Sequence, residues 1–219
     1  DVLQSRGLGD VYKRQPQARF LPAEDILDIR GKSGDARDGA PVRIAVPVLR
    51  RIANFDDLDP LAGETDVDVT LVEAGDVIPA DADLILLPGS KSTISDLTFL
   101  REQGWDIDIA AHLRRGGMVM GLCGGYQMLG TKLDDPDGVE GPAGDTLGLG
   151  HLRVETVLAG DKRLTQVTAH ANAFDVPVRG YEIHMGRTGG PDCDRPFLTL
   201  DGKPAVSYTH LTLPTILSV

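Results

Sequence analysis

The chain has 219 residues, of which 41% are hydrophobic and 25% are charged, a composition that suits one globular domain with a sizeable core. Its formal net charge of -11, with no cluster of Lys and Arg, argues against a nucleic-acid partner. No window approaches the roughly 18 uninterrupted apolar residues of a transmembrane helix, and the first residues contain no signal-peptide core, so we expect a cytoplasmic protein with no membrane partner.

Both ends of the chain differ from its middle in their residue patterns. Residues 1–15 and 207–219 contain the strings GLGDVYKRQ and SYTHLTLPT, which resemble translated sequencing-adapter read-through, and we interpret both as artefacts. Residues 16–41 are polar and rich in Asp, Gly and Pro, which is typical of an interdomain linker. We therefore expect one domain over residues 42–206, truncated at its carboxyl end.

From residue 42 onwards, short apolar runs alternate with longer mixed segments. The runs VRIAV, VDVTLV, DLILL and GMVMGL predict buried strands. Between the last two runs, ISDLTFLREQGWDIDIAAHLRR has helical periodicity and stops at Gly116 and Gly117, which predicts a helix. A strand, a helix and a strand in this order form a right-handed crossover, so we predict an α/β fold with a mostly parallel sheet and helices on both faces.

One of the two cysteines, Cys123, lies in the stretch GLCGGYQ, directly after a predicted strand and before a predicted helix. Such a turn exposes a thiol at the edge of the sheet, its glycines permit unusual backbone angles and close approach of a substrate, and the helix start favours the thiolate. The pattern therefore predicts a nucleophile elbow. Cys193 lies in the polar stretch PDCDRP, and the two cysteines form neither a disulfide framework nor a metal-type cluster, so we expect no metal.

A second glycine turn, in LLPGSKST, follows the neighbouring predicted strand. We expect the backbone N–H of Gly89, together with that of Gly124, to receive the oxyanion of a tetrahedral intermediate. The same turn is also explained as an ordinary helix start capped by Ser90 or Ser92, and both interpretations can hold together. GSKST lacks the glycine spacing of a phosphate-binding loop, so we predict no nucleotide site in this domain.

Three ordered motifs, LLPGSKSTISDL, GLCGGYQMLG and GYEIHMGRT, closely resemble the CobB/CobQ-type class I glutamine amidotransferase domain of the cobyric acid synthases. The resemblance covers roughly residues 20–206 and implies a flavodoxin-like three-layer fold. It implies that Cys123 attacks the side-chain amide of glutamine and releases ammonia through a glutamyl thioester. It also assigns Tyr126, Gln127, Glu182 and His184 to the glutamine site.

The resemblance implies partners that lie outside this domain. Ammonia would pass to an ATP-dependent synthetase domain upstream in the same parent chain, where carboxylates of cobyrinic acid a,c-diamide, a corrinoid, become amides. ATP and Mg²⁺ are expected in that synthetase domain, and no cofactor is expected in the present one.

The sequence departs from the family where a base is needed. A thiol nucleophile needs a proton acceptor, usually His, and the family's catalytic His would fall beyond residue 206. His210 imitates that motif but lacks its flanking glycines, and we do not assign it a catalytic role. Among the other histidines, we expect His112 and His170 to be solvated.

Two other interpretations remain open at this point. The related glutaminase subunit that serves amidation of peptidoglycan precursors shares the fold and the elbow, although a separate subunit would not begin with a linker. The chain could also be a catalytically inert fragment of the domain, because its base is not identified.

Overall fold

The computed structural model of the protein describes residues 42–160, 163–172, 175–184, 186–200 and 202–207. The predicted linker, His210 and nearly all of the two segments interpreted as artefacts lie outside these residues. No helix in the described ranges is long and apolar enough to span a membrane.

The described part of the chain contains fourteen strands, four α-helices and two short 3-10 helices. In chain order the strands are β1 (Val42–Pro47), β2 (Ile52–Ala53), β3 (Val67–Val72), β4 (Leu84–Leu87), β5 (Gly89–Ser90), β6 (Met118–Gly121), β7 (Lys132–Asp135), β8 (Gly144–Leu147), β9 (Glu155–Val157), β10 (Arg163–Ala171), β11 (Val176–His184), β12 (Arg187–Gly189), β13 (Pro196–Leu200) and β14 (Lys203–Ser207). The helices are α1 (Asp59–Gly63), α2 (Thr93–Glu102), α3 (Trp105–Arg114) and α4 (Gly124–Leu129), with 3-10 turns at Phe55–Leu58 and Pro191–Asp194.

A four-stranded sheet in the order β3-β1-β4-β6 forms the centre of the fold, and all three of its pairings are parallel. These are the four runs that the sequence predicted as strands. Alternate residues of a strand point to opposite faces, and both faces are buried along the last four residues of β1 and the last three of β4. Ala45, Ile85 and Leu87 pack with the apolar residues of α2 and α3, whereas Ile44, Val46 and Leu86 pack with Leu58. The predicted α/β class with a parallel sheet is confirmed.

The predicted helix between β4 and β6 is two helices. Gly104 adopts φ 75°, a left-handed conformation that glycine reaches without a Cβ clash, and this residue ends α2 and precedes α3. The break lets the two helices fold back against each other, with the rings of Phe99 and Trp105 in edge-to-face contact at 5.7 Å between centroids. Both helices still lie within the crossover that joins β4 to the parallel strand β6.

Beyond α4 the chain forms two further four-stranded sheets that the sequence reasoning did not include. One has the order β12-β9-β7-β8 and the other, antiparallel throughout, has the order β11-β10-β13-β14. A two-stranded antiparallel ribbon of β2 and β5 completes the set. This small ribbon matters most for the site, because it lies at the carboxyl edge of the parallel sheet.

Candidate active site

Cys123 lies on the turn between β6 and α4, at the carboxyl edge of the parallel sheet. Its backbone has φ 49° and ψ -111°, a combination that residues with a Cβ rarely adopt, and its side chain is exposed. The turn is held to the neighbouring strand by the Leu122 N–H, which donates to the Leu87 carbonyl oxygen at 2.9 Å. The predicted strand, turn and helix around an exposed thiol are therefore present.

The glycines around Cys123 allow backbone to approach backbone. A Cβ on Gly125 would lie 2.3 Å from the Leu87 carbonyl oxygen, and one on Gly121 would lie 2.4 Å from the Tyr126 nitrogen. Neither glycine has a positive φ, so the strained angle belongs to Cys123 itself rather than to its neighbours. The expectation that these glycines supply unusual backbone angles is wrong, and their use is close packing.

The ribbon of β2 and β5 brings a second set of backbone groups to the thiol. A Cβ on Gly89 would lie 3.7 Å from the Cys123 Cβ, and the Ser90 nitrogen lies 3.0 Å from the position of a Cβ on Gly124. Both turns that the sequence predicted to form one oxyanion site are therefore adjacent in space.

The register of the ribbon indicates which N–H points at the thiol. Lys91 N–H donates to the Arg51 carbonyl oxygen at 2.8 Å, and Ser90 is opposite Ile52. Because hydrogen-bonded and non-hydrogen-bonded pairs alternate in an antiparallel ladder, the Ser90 N–H points away from β2, toward Gly124. By the same alternation the Gly89 N–H faces Ala53. The oxyanion role of Gly89 stays a prediction, and Ser90 is a donor at the same turn that the sequence reasoning missed.

A buried carboxylate accepts hydrogen bonds from the ribbon of β2 and β5. Asp96, in the first turn of α2, has no exposed surface, and its Oδ2 accepts hydrogen bonds from the Ser90 Oγ at 2.6 Å and the Arg51 N–H at 3.2 Å. Its Oδ1 is buried without a hydrogen-bond partner among the described residues. Burial raises the pKa of Asp96, and the hydrogen bonds from Ser90 and Arg51 oppose that rise.

The amino end of α2 is capped by a side chain from a distant loop. Glu140 Oε2 accepts a hydrogen bond from the Ile94 N–H at 2.9 Å, while Ser92, the residue at the cap position, makes no capping bond with its side chain. The loop that carries Glu140 is fixed in turn by the buried Asp135, whose two oxygens accept from the backbone of Val139 and Glu140 at 2.7 and 2.9 Å. Of the two predicted caps, Ser92 makes no capping bond with its side chain, whereas the Ser90 Oγ accepts a hydrogen bond from the Ser92 N–H at 2.9 Å.

Two of the four predicted glutamine-site residues lie on α4, directly after the thiol. Gln127 is 6% exposed and accepts a hydrogen bond from Thr93 Oγ1 at 3.4 Å, so it is a buried group beside the start of α2. Tyr126 is partly buried and packs against the main hydrophobic core. Glu182 and His184 lie on β11, opposite Thr165 and Arg163 of β10. The roles of all four stay predictions.

The structure describes the side chains of three histidines, which contact different parts of the fold. His112 is 2% exposed and hydrogen-bonds through Nε2 to the Met118 carbonyl oxygen at 2.9 Å, at the opposite end of β6. The expectation that it is solvated is therefore wrong. His170 pairs with Asp175 at 2.9 Å and is exposed at the β10–β11 hairpin. His151 donates its backbone N–H to Leu129, at the far end of α4, and burial lowers the pKa of its imidazole.

Within the described ranges, no group of three or more His, Cys, Asp or Glu side chains is arranged to hold a metal ion. The features gathered at the carboxyl edge are those of acyl-group chemistry: an exposed thiol, backbone N–H groups aimed at its surroundings, and a buried polar side chain beside it.

Residues 43–210 match the family described as the CobB/CobQ-like glutamine amidotransferase domain. The chain is similar to the cobyric acid synthase of Ruegeria sp. (strain TM1040), with 60% identity over 183 residues, 84% of this chain and 37% of that protein. It is 55% identical over 204 residues to the cobyric acid synthase of Paracoccus denitrificans (strain Pd 1222), covering 89% of this chain and 42% of that protein. The chain thus spans about two fifths of the length of these curated relatives.

Two solved structures share the fold. PurLQS from Thermotoga maritima superposes with a TM-score of 0.56 at 21% identity, covering 74% of this chain and 78% of that chain. A glutamine amidotransferase from the same organism gives a TM-score of 0.51 at 13% identity, covering 75% of this chain and 69% of that one. At such identities the likeness concerns the fold.

Proposed function

The chain belongs to the family of CobB/CobQ-like glutamine amidotransferase domains, and on that premise we propose that Cys123 hydrolyses glutamine to supply ammonia for the amidation of a corrinoid. The observation that carries the proposal is the exposed Cys123 on a strained strand-to-helix turn, with the Ser90 nitrogen next to Gly124. This arrangement supports the proposal of a thiol and an oxyanion site at one edge of the sheet.

The reaction proceeds by two acyl transfers. The Cys123 sulfur attacks the side-chain amide carbon of glutamine, and the carbonyl oxygen becomes an oxyanion that the N–H groups of Gly124 and of the Gly89–Ser90 turn receive. The C–N bond then breaks, the nitrogen leaves as ammonia with the proton from the thiol, and a glutamyl thioester remains. Water attacks the thioester, the C–S bond breaks, and glutamate leaves as the thiol regains a proton.

Gln127 and Tyr126 orient the substrate in this scheme. Gln127 is buried beside the oxyanion turn and linked to Thr93, so its amide is fixed for hydrogen bonding to the amino-acid end of glutamine. Glu182 and His184 remain assigned to the same pocket by the family resemblance. The proton acceptor is left unassigned, since His112 hydrogen-bonds to the Met118 carbonyl oxygen and His170 to Asp175.

The consumer of the ammonia lies in the rest of the parent chain. This domain corresponds to about two fifths of cobyric acid synthases, 37% and 42% of two of them. We assign to the remaining part the ATP- and Mg²⁺-dependent activation of carboxylates of cobyrinic acid a,c-diamide. A cytoplasmic location suits a reactive thiol, because reducing compartments keep cysteine unpaired. The relatives' names favour corrinoid amidation over amidation of peptidoglycan precursors.

Labelling with diazo-oxonorleucine, an electrophilic analogue of glutamine, tests the proposal. We expect one adduct at Cys123, detected by mass spectrometry of the intact chain and its peptides, and protection by excess glutamine. Cys123→Ala should abolish labelling, while Cys193→Ala, the matched control at the other cysteine, should leave it unchanged. Equal labelling of both cysteines, or none at Cys123, would overturn the glutaminase proposal and favour an inert fragment.

A further inference from the structure

The ribbon that presents the Ser90 N–H is too short to hold itself in place. Each of its strands, β2 and β5, has two residues, and within the part of the chain that the structure describes the two strands pair only with each other. Isolated two-stranded pairs are marginally stable in water. Something outside the ribbon must therefore fix the direction of its backbone N–H groups.

Asp96 contacts both sides of this ribbon with one oxygen atom. Its Oδ2 accepts from the Ser90 Oγ on β5 at 2.6 Å and from the Arg51 N–H, just before β2, at 3.2 Å. The Ser90 Oγ also accepts from the Ser92 N–H at 2.9 Å, which fixes the turn leading into α2. One buried side chain thus sets the position of both strands and of the turn that follows them.

The cost of this arrangement indicates a role beyond stability. Asp96 is fully buried, yet its Oδ1 lacks a hydrogen-bond partner among the described residues. Buried carboxylates with an unsatisfied oxygen are unfavourable, and departures from the most stable choice concentrate at functional sites.

We propose that Asp96 is a positioning residue for the oxyanion site, holding the Ser90 N–H in the direction that receives the carbonyl oxygen of the substrate at Cys123. The inference rests on the proposed glutaminase function. Asp96 acts through Ser90 and Arg51 and does not contact the reacting atoms. The property that matters is hydrogen-bond acceptance by Oδ2, which the amide oxygen of Asn can reproduce.

The test compares Asp96→Ala with Asp96→Asn in the full chain, using the kinetics of diazo-oxonorleucine labelling at Cys123. In that reaction the sulfur bonds to the diazo carbon, which takes up one proton as dinitrogen leaves, and the adjacent ketone oxygen lies where the glutamine carbonyl would lie. We expect Asp96→Ala to lower the limiting rate, kinact, at least about tenfold while KI changes less than about threefold. Asp96→Asn should keep kinact within about threefold of the unmodified chain.

Two controls separate positioning from loss of the fold. Asp108→Ala removes a carboxylate from the first turn of the next helix, where it accepts from the Ile78 N–H at 3.1 Å, and should leave kinact unchanged. Alkylation of Cys123 by iodoacetamide, which does not use the glutamine pocket, should differ by less than about twofold among the variants. Ser90→Ala removes the same hydrogen bond but keeps the buried carboxylate, and it should lower kinact in the same direction.

The outcomes distinguish the inference from the function on which it rests. If the unmodified chain is not labelled at Cys123, the glutaminase proposal fails and the oxyanion role fails with it. If the unmodified chain is labelled but Asp96→Ala and Ser90→Ala both keep its kinact, the positioning role of Asp96 alone is overturned. A parallel fall in labelling and in iodoacetamide alkylation would also overturn it, because it would mark a general structural effect.

Discussion

Replacing Cys123 by glycine should stabilise the protein relative to replacing it by alanine. Cys123 has φ 49° and ψ -111°, which an alanine must also adopt and a glycine adopts freely. Backbone strain of this kind costs roughly 1 to 3 kcal/mol, and glycine loses about 0.5 to 1 kcal/mol through the greater freedom of the unfolded chain. The side chain is exposed, so little packing is lost. We expect Cys123→Gly to exceed Cys123→Ala by about 1 kcal/mol in free energy of unfolding.

The assay is urea unfolding followed by the fluorescence of Trp105, the single tryptophan of the chain, which is fully buried in the core. A difference of 1 kcal/mol corresponds to a rise of about 2 to 4 °C in Tm for a domain of this size. Equal or lower stability of the glycine variant would refute the reasoning, because it would mean that the elbow conformation carries no strain. The experiment measures how much stability the protein gives up to present a thiol.

Three further substitutions test other parts of the structure. Gly125→Ala should destabilise the fold by at least about 2 kcal/mol in urea unfolding and prevent labelling of the thiol, since the new Cβ would lie 2.3 Å from the backbone of β4. Gly63→Ala is the matched control and should be close to neutral, because a Cβ there would have nothing within 4 Å. Burial alone would raise the pKa of Asp192, but hydrogen bonds from two partly exposed arginines lower it to about 2, below its ordinary 3.8. The stability that ionised Asp192 contributes is therefore present above about pH 4 and is lost as the pH falls toward 2. The unfolding free energy is measured as a function of pH. After allowance for solvent screening, Asp192→Asn should remove about 1 kcal/mol of the stability that the protein loses between about pH 4 and pH 2, and an unchanged loss over that range would contradict the ion-pair account. Glu140→Ala should cost about 1 kcal/mol by uncapping the Ile94 N–H, and Glu140→Gln, which keeps an acceptor oxygen, should cost less than half of that. Equal losses in the two variants would contradict the hydrogen-bond account of this cap.

The sequence predicts the parallel sheet well, because each of its strands is a local apolar run with a clear start and end. It also predicts the elbow, since the strand and the glycines on either side of Cys123 are close together in the sequence. The break at Gly104 is harder to predict, because an isolated glycine in a helical pattern is compatible with either one helix or two. The strain at Cys123 could not be read from the sequence, since backbone angles at a non-glycine residue depend on the packing of its neighbours.

Contacts between distant segments account for what the sequence reasoning missed at the site. Asp96 and Ser90 are six residues apart, but Arg51 reaches the same carboxylate from 45 residues away. A two-residue strand such as β5 has no periodicity that could reveal its pairing with β2. The direction of the Ser90 N–H depends on the register of that pairing, which the sequence alone does not determine.

On heating, Cys123 should lose its reactivity toward the glutamine analogue before the core unfolds, because the thiol follows an edge strand of the central sheet. Within the described ranges β6 pairs with β4 alone, and Met118 and Met120 are 46% and 41% exposed on it, whereas β1 and β4 are buried between neighbours. Edges of this kind open locally at a lower free energy than the centre of a sheet. Thermal inactivation of labelling should therefore precede the loss of Trp105 fluorescence, and a coincidence of the two transitions would show that elbow and core melt as one cooperative unit.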